Sequence, residues 1–226
     1  MTMLDGVIEA RSLMPNGWPG INAALAAMQG NIEACLFDIR VRQACIEILH
    51  HAGARGGDRE DEARGIFDFV LQRVEYRRDP AWFEFIQDPR ILLKHIEDTE
   101  RAEGRGRGWA AGDCDDSAQL VAILGFQVRL DIELVLVARD HKPFQMSIPE
   151  LVQAFMDAAA KDEPVPIHVY AAMKENKYAE PSRDWLEGDD RAPSGLISLD
   201  TARPGASFRE HVPGMVRYVR PAVLTP

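Results

Sequence analysis

The chain has 226 residues, enough for one large domain or one domain with an appended helical segment, and two full independent domains would be a tight fit. It is 46% hydrophobic, 27% charged and 8% aromatic, the composition of a folded globular chain rather than a disordered one. Lys and Arg total 26 against 36 Asp and Glu, a formal net charge of -10, which sets nucleic acid and anionic membrane surfaces aside as partners.

Met1 to Pro15 places Asp5 and Glu9 where a secretion signal would carry basic residues and then an apolar run, so the sequence predicts synthesis without a signal peptide and a cytoplasmic start. No run approaches the length of a membrane span. Action outside the cell would require release by lysis or carriage inside an assembly. Cys35, Cys45 and Cys114 are too few, and wrongly spaced, for a disulfide framework or a zinc knuckle, which suggests a reducing compartment.

In chain order, Ile21, Leu25 and Met28, then Leu36, Ile39, Ile46 and Leu49, recur at helical spacing and predict a helical hairpin ending at the glycines of 52–58 (AGARGGD). A third helix beginning near Asp61 carries Ile66, Phe67, Val70, Leu71 and Val74 as an apolar stripe. Asp79-Pro80 then forces a turn. A short helix follows Asp88-Pro89 with Ile91, Leu92 and Ile96. Residues 103–112 (EGRGRGWAAG) contain four glycines and are expected to be a connector rather than an element.

That connector delivers the chain to 112–116 (GDCDD). Asp113 is a good N-cap, and Ala118, Val121 and Leu124 continue a helix, so Cys114 is expected at a helix N-terminus. There the helix dipole and the free first-turn N–H groups favour a thiolate and can receive an oxyanion. Asp115 and Asp116 oppose ionisation of the thiol, so an imidazolium partner is needed. Consecutive acids at a helix start are better explained by the dipole than by calcium, and no metal or organic cofactor is expected.

After Gly125 the period changes to two through Val128, Leu130, Ile132, Leu134 and Leu136, predicting a strand. A helix over 149–160 follows. Ile167 to Met173 alternates again, with Ile167, Val169 and Ala171 on one face and His168 and Tyr170 on the other, and 196–200 (LISLD) forms a third strand ending in Asp200. Helices first and strands later predict an α+β fold with an antiparallel sheet. Cys114, His168 and Asp200 occur in the order nucleophile, base, orienter, which predicts a Cys-His-Asp triad. Trp109 is a candidate aromatic wall beside the thiol, and Arg217 and Arg220 are candidate contacts for a carboxylate or a partner chain. His50 and His51 suit the carbonyls of a helix C-terminus better than a metal.

The stretches IFDFVLQRVEYRRDP, QDPRILL, AGDCDDSAQLVAIL, PIHVYAAM and LISLD, with Pro204-Gly205 beyond, resemble the transglutaminase-like superfamily in its bacterial and bacteriophage branch, from about Ile21 to Gly205. The GDCDD that follows QDP is the most specific element. The resemblance implies a papain-like α+β fold in which a central helix bearing the Cys packs on an antiparallel sheet. It implies an N-terminal helical segment over 1–60 and a catalytic domain over 61–226, joined as one globular unit. It also implies that Cys114, His168 and Asp200 are catalytic, that the activity is thiol-dependent hydrolysis or acyl transfer, and that the substrate is a protein or a peptidoglycan peptide.

The sequence departs from the family pattern in the expanded linker before Cys114, in LDTA where LDPT is usual, and in the helix at 149–160, which reads as an insertion. The bacteriophage branch leaves a second reading open: a tail-associated structural or assembly protein, with other virion proteins as partners.

Overall fold

A computed structural model of the chain describes residues 18–78, 86–104, 108–138, 146, 150, 153–154, 157, 167–175, 195–202, 205–210 and 216–222, with backbone only for 18–20 and 216–221. Its class is mixed α+β. Four helices and a two-stranded ribbon precede a long central helix, and a four-stranded sheet follows it.

Helix α1 (Trp18–Cys35) buries Leu25, Met28, Ile32 and Cys35, one stripe at three- and four-residue steps. Helix α2 (Ile39–Ala52) starts at Asp38, whose side chain accepts from the N–H groups of Arg40 and Val41, and stops at Gly53, where φ is 68°. Its buried stripe is Val41, Cys45 and Ile48. The expected stripe through Ile39 and Ile46 is corrected, since these two are 64% and 60% exposed and Phe37 beside them is 97% exposed. The face that packs on the core is therefore the one carrying Val41, Cys45 and Ile48.

Helix α3 (Arg59–Arg73) starts at an Asp58 cap, somewhat earlier than expected, and buries Ala63, Ile66, Phe67 and Val70. Val74 does not continue it. The chain turns extended there as β1 (Val74–Tyr76), which pairs in parallel with β2 (Ala110–Gly112), so the supposed connector before Cys114 holds a strand. Helix α4 (Pro89–Glu103) has Asp88 as cap and Pro89 in its first turn, and with 15 residues it is not short. At the close of its far end, a Cβ on Gly108 would lie 2.2 Å from the Ile96 carbonyl oxygen, so only glycine lets the backbone pass that closely.

Helix α5 (Cys114–Gln127) is buried at every position from Asp115 to Gly125 and carries the core. Helices α1 to α4 pack around it, and the sheet takes its remaining side. The strands β3 (Ile132–Ala138), β4 (Ile167–Lys174), β5 (Leu196–Leu199) and β6 (Val216–Pro221) lie in the order β5-β4-β3-β6, all antiparallel. β3 begins at Ile132 rather than Val128, because α5 runs to Gln127 and a turn through Arg129, at φ 60°, separates them. β6 was not anticipated. The expected helix at 149–160 falls largely outside the described residues.

The two faces of the sheet differ. Leu134, Leu136, Ala138, Val169, Ala171, Met173, Ile197 and Leu199 join the α5 core, while Val135, Val137, Tyr170, Ala172 and Leu196 make a second buried cluster on the opposite face. Both faces of β3 are therefore buried, and Glu133 is accommodated through an ion pair with Lys174, 3.2 Å away.

Candidate active site

The site is built from two local structures, one at the start of α5 and one on the sheet. The first is the start of α5. Asp113 and Asp116 form a capping box, and the Asp116 carboxylate is fully buried. Its oxygens accept from the backbone N–H and the side-chain amide of Gln87, each at 2.8 Å, and from the Asp113 N–H at 3.4 Å. The Gln87 amide also donates to the Ala111 carbonyl at 3.3 Å. The two short sequences QDP and GDCDD are thus one structural unit. Gln87 holds Asp116, Asp88 caps α4, and Pro89 opens that helix.

Burial, and after it the neighbouring charge of Asp113, raises the Asp116 carboxyl to about 7, against the downward pull of the Gln87 hydrogen bonds. Gly112 passes so close that a Cβ there would lie 3.0 Å from the Asp116 Cβ. Cys114 is therefore held on a fixed turn. The ligand atoms of Asp113, Cys114 and Asp115 lie within 4.8 Å of one another, a consequence of their adjacency at the helix start.

The three thiols are not equivalent. Cys35 and Cys45 are fully buried, and burial first, then nearby carboxylates, pushes both up to about 12. The Cys45 thiol donates to the Leu124 carbonyl and that of Cys35 to Asp88, so both serve the packing around α5. Cys114 alone among the cysteines is partly exposed.

The second structure is the pair of strands β4 and β5. Leu199 lies opposite Ala171, so Asp200 follows on the face that carries Tyr170 and His168. The His168 ring nitrogen Nε2 lies 3.0 Å from Asp200 Oδ1, which also accepts from the Ala202 N–H at 3.3 Å. The carboxylate is 1% exposed and the imidazole 12%. An ionised carboxylate can only accept, so Nε2 carries the hydrogen and Nδ1 is left as the ring nitrogen available to a thiol. Tyr170 stacks on the ring with centroids 6.0 Å apart and planes 28° from parallel.

α5 runs about 20 Å before the turn into β3, which runs back by nearly the same length to Ala138, opposite Ile167 at the start of β4. Cys114 and His168 are accordingly at the same end. The imidazole, however, is on the sheet face opposite the one that receives the α5 side chains. The fold joins His168 to Asp200 and sets Cys114 at the start of α5.

Trp109 is tied to α4. Its main-chain N–H and carbonyl are both bound by the Thr99 hydroxyl, and its indole N–H donates to Glu103 at 3.3 Å, docking it on the end of α4. His51 Nδ1 bonds the Glu47 carbonyl, as expected of a helix end. Arg217 and Arg220 lie on β6 with side chains outside the described residues. Gln87 had been read only as part of a motif. Its role depends on the burial of Asp116, which no local pattern in the sequence signals. No helix among the described residues is long and apolar enough to cross a membrane. Comparison of the chain with known protein families, with curated proteins and with solved structures returns no match.

Proposed function

We propose that the chain is a thiol-dependent amide or peptide hydrolase or acyl transferase on a papain-like version of the α+β fold. The observation that carries the reading is the buried His168–Asp200 pair, which orients the imidazole through Nε2. The partly exposed Cys114 at a helix N-terminus supports it, and so does the resemblance to the transglutaminase-like superfamily.

In the proposed cycle, Nδ1 of His168 takes the Cys114 proton as Sγ comes within reach, and Asp200 stabilises the resulting imidazolium. Sγ forms a bond to the carbonyl carbon of an amide, and the carbonyl electron pair moves to oxygen, where the first-turn N–H groups of α5 receive it. The carbonyl re-forms, the carbon–nitrogen bond breaks, and His168 protonates the leaving amine. Water or a second amine then attacks the thioester, with His168 as base, and frees the thiol. The steps use no metal or organic cofactor. Hydrolysis is favoured over cross-linking, which needs a second site that excludes water, and the substrate is a protein or a peptidoglycan peptide.

The test compares the protein with its Cys114→Ala variant on peptidoglycan and protein substrates, with iodoacetamide labelling at neutral pH read by peptide mass. Activity confined to the unmodified protein, and labelling of Cys114 ahead of Cys35 and Cys45 that is lost in His168→Ala, is the expected result. Equal labelling of all three thiols with no substrate turned over would overturn the reading.

A second reading, a tail-associated structural or assembly protein of a virion, is favoured by one observation. Phe37, just before α2, and Ile39 and Ile46 on that helix are exposed large hydrophobic side chains. It requires concentration-dependent association that Phe37→Ser abolishes in light scattering.

A further inference from the structure

The strand β1 ends beside the thiol. Its parallel register places Tyr76 opposite Gly112, two residues before Cys114, and the Arg77 N–H donates to the Gly112 carbonyl at 2.9 Å. The side chains of β1 alternate: Val74 is buried, Glu75 exposed and Tyr76 half-buried. Val74 faces the α5 side, since its Cγ1 would lie 3.4 Å from a Cβ on Gly112, and Tyr76 shares that face one alternation further along.

The phenol feels its surroundings accordingly. Burial, and then the neighbouring acidic groups of Cys114 and Asp113, push it up to about 12, so it keeps its proton at neutral pH. The Arg78 side chain hydrogen-bonds the phenol and pulls in the opposite direction. Arginine can only donate, so the phenol oxygen is the acceptor in that bond and the O–H proton is left to point elsewhere.

We infer that the Tyr76 hydroxyl donates a hydrogen bond to the substrate carbonyl oxygen as Cys114 attacks, completing with the first-turn N–H groups of α5 the cradle for the oxyanion. The inference rests on the thiol reading above. It adds a residue that sequence motifs did not single out. Electron flow is that of the acylation step: Sγ–C forms, the carbonyl pair moves to oxygen, and the pair returns as the leaving group departs. Tyr76 transfers no proton; it only shares one. A donor kept neutral by its surroundings and fixed on a short strand suits charge that exists only in the transition state.

Two reagents separate this role from any general effect on the thiol. p-Nitrophenyl acetate acylates Cys114 through a tetrahedral oxyanion, whereas iodoacetamide alkylates it by displacement without one. Tyr76→Phe should slow acylation by about 10²-fold and leave the alkylation rate within about twofold. Arg78→Gln, a surface change that leaves the phenyl packing of Tyr76 in place, should slow acylation by a smaller factor, again without touching alkylation. Unchanged acylation in Tyr76→Phe overturns the inference, and so does a parallel fall of both rates, which would mean that Tyr76 supports the thiolate or the fold. If Cys114→Ala is acylated as fast as the unmodified protein, the thiol reading itself fails and takes the role of Tyr76 with it.

Discussion

Replacing Asp116 by Asn tests the turn that holds Cys114, and the size of the effect follows from the buried carboxyl. A rise from 3.8 to about 7 corresponds to about 4 kcal/mol between the two protonation states. In the folded protein the group holds its proton to higher pH than in the unfolded chain, so the folded state is the one that binds more protons between about pH 4 and pH 7. Stability must then fall as pH rises through that window. The whole cost of burying the charge is present above pH 7 and none of it below pH 4. Asn has no proton to lose, but it presents an N–H₂ where one carboxylate oxygen now accepts from Gln87, a loss of about 1–2 kcal/mol. About 1.7 kcal/mol of the burial cost is already present at pH 5 and about 4 kcal/mol at pH 8, so Asp116→Asn should be about level with the unmodified protein at pH 5 and the more stable one at pH 8. For a chain of this size, about 4 kcal/mol corresponds to roughly 8–16 °C in Tm at the limit. Differential scanning calorimetry of both proteins from pH 5 to pH 8 reads the difference directly, with the other carboxylates cancelling. A difference in Tm that does not change with pH would refute the reasoning, because it would mean that Asp116 titrates alike in the folded and unfolded chain.

Three further predictions concern the second half of the site and the core. Asp200→Asn removes the charge that stabilises the imidazolium, so the rate of Cys114 alkylation should fall by about tenfold or more and its pH profile should move; an unchanged profile would separate Asp200 from the thiol. Phe67→Ala, at a ring 2% exposed and 5.7 Å from Phe208, should cost about 3–5 kcal/mol in urea unfolding, whereas Phe37→Ser, at a side chain 97% exposed, should stay within about 0.5 kcal/mol. Gly108→Ala puts a methyl group against the Ile96 carbonyl at 2.2 Å and should lower stability by about 1–3 kcal/mol through a backbone shift, with a smaller loss if the connector yields.

What could be read from the sequence was what is decided within a few residues. Asp88-Pro89 names a helix start because a cap and a first-turn proline act locally, and Asp113 with Asp116 does the same for α5. The alternation of 167–173 assigned His168 and Tyr170 to one face correctly, since the period of a strand is fixed by its backbone. Misreadings arose where partners are distant. Val74 continues the α3 periodicity, and only its pairing with Ala110, far along the chain, makes it a strand. Ile39 and Ile46 match a helical stripe as well as Val41 and Cys45 do, and the choice depended on which stripe α5 had room to receive. Asp116 looked like one more acid for the helix dipole, because nothing in its neighbourhood reveals that Gln87 would bury it.

The same distinction bears on how the site works. His168 and Asp200 sit on adjacent strands in a register that ordinary sheet hydrogen bonds enforce, so their contact needs no ligand to form it. Cys114 stands on a turn held by the Gln87–Asp116 latch and the β1–β2 ribbon. A change in the latch can therefore move the sulfur relative to the ring while leaving the His168–Asp200 bond intact. Asp116→Asn should for that reason alter Cys114 alkylation without altering the His168 resonances in NMR titration. Asp200→Asn should alter both if the proposed triad operates, because the imidazole loses its orienting partner.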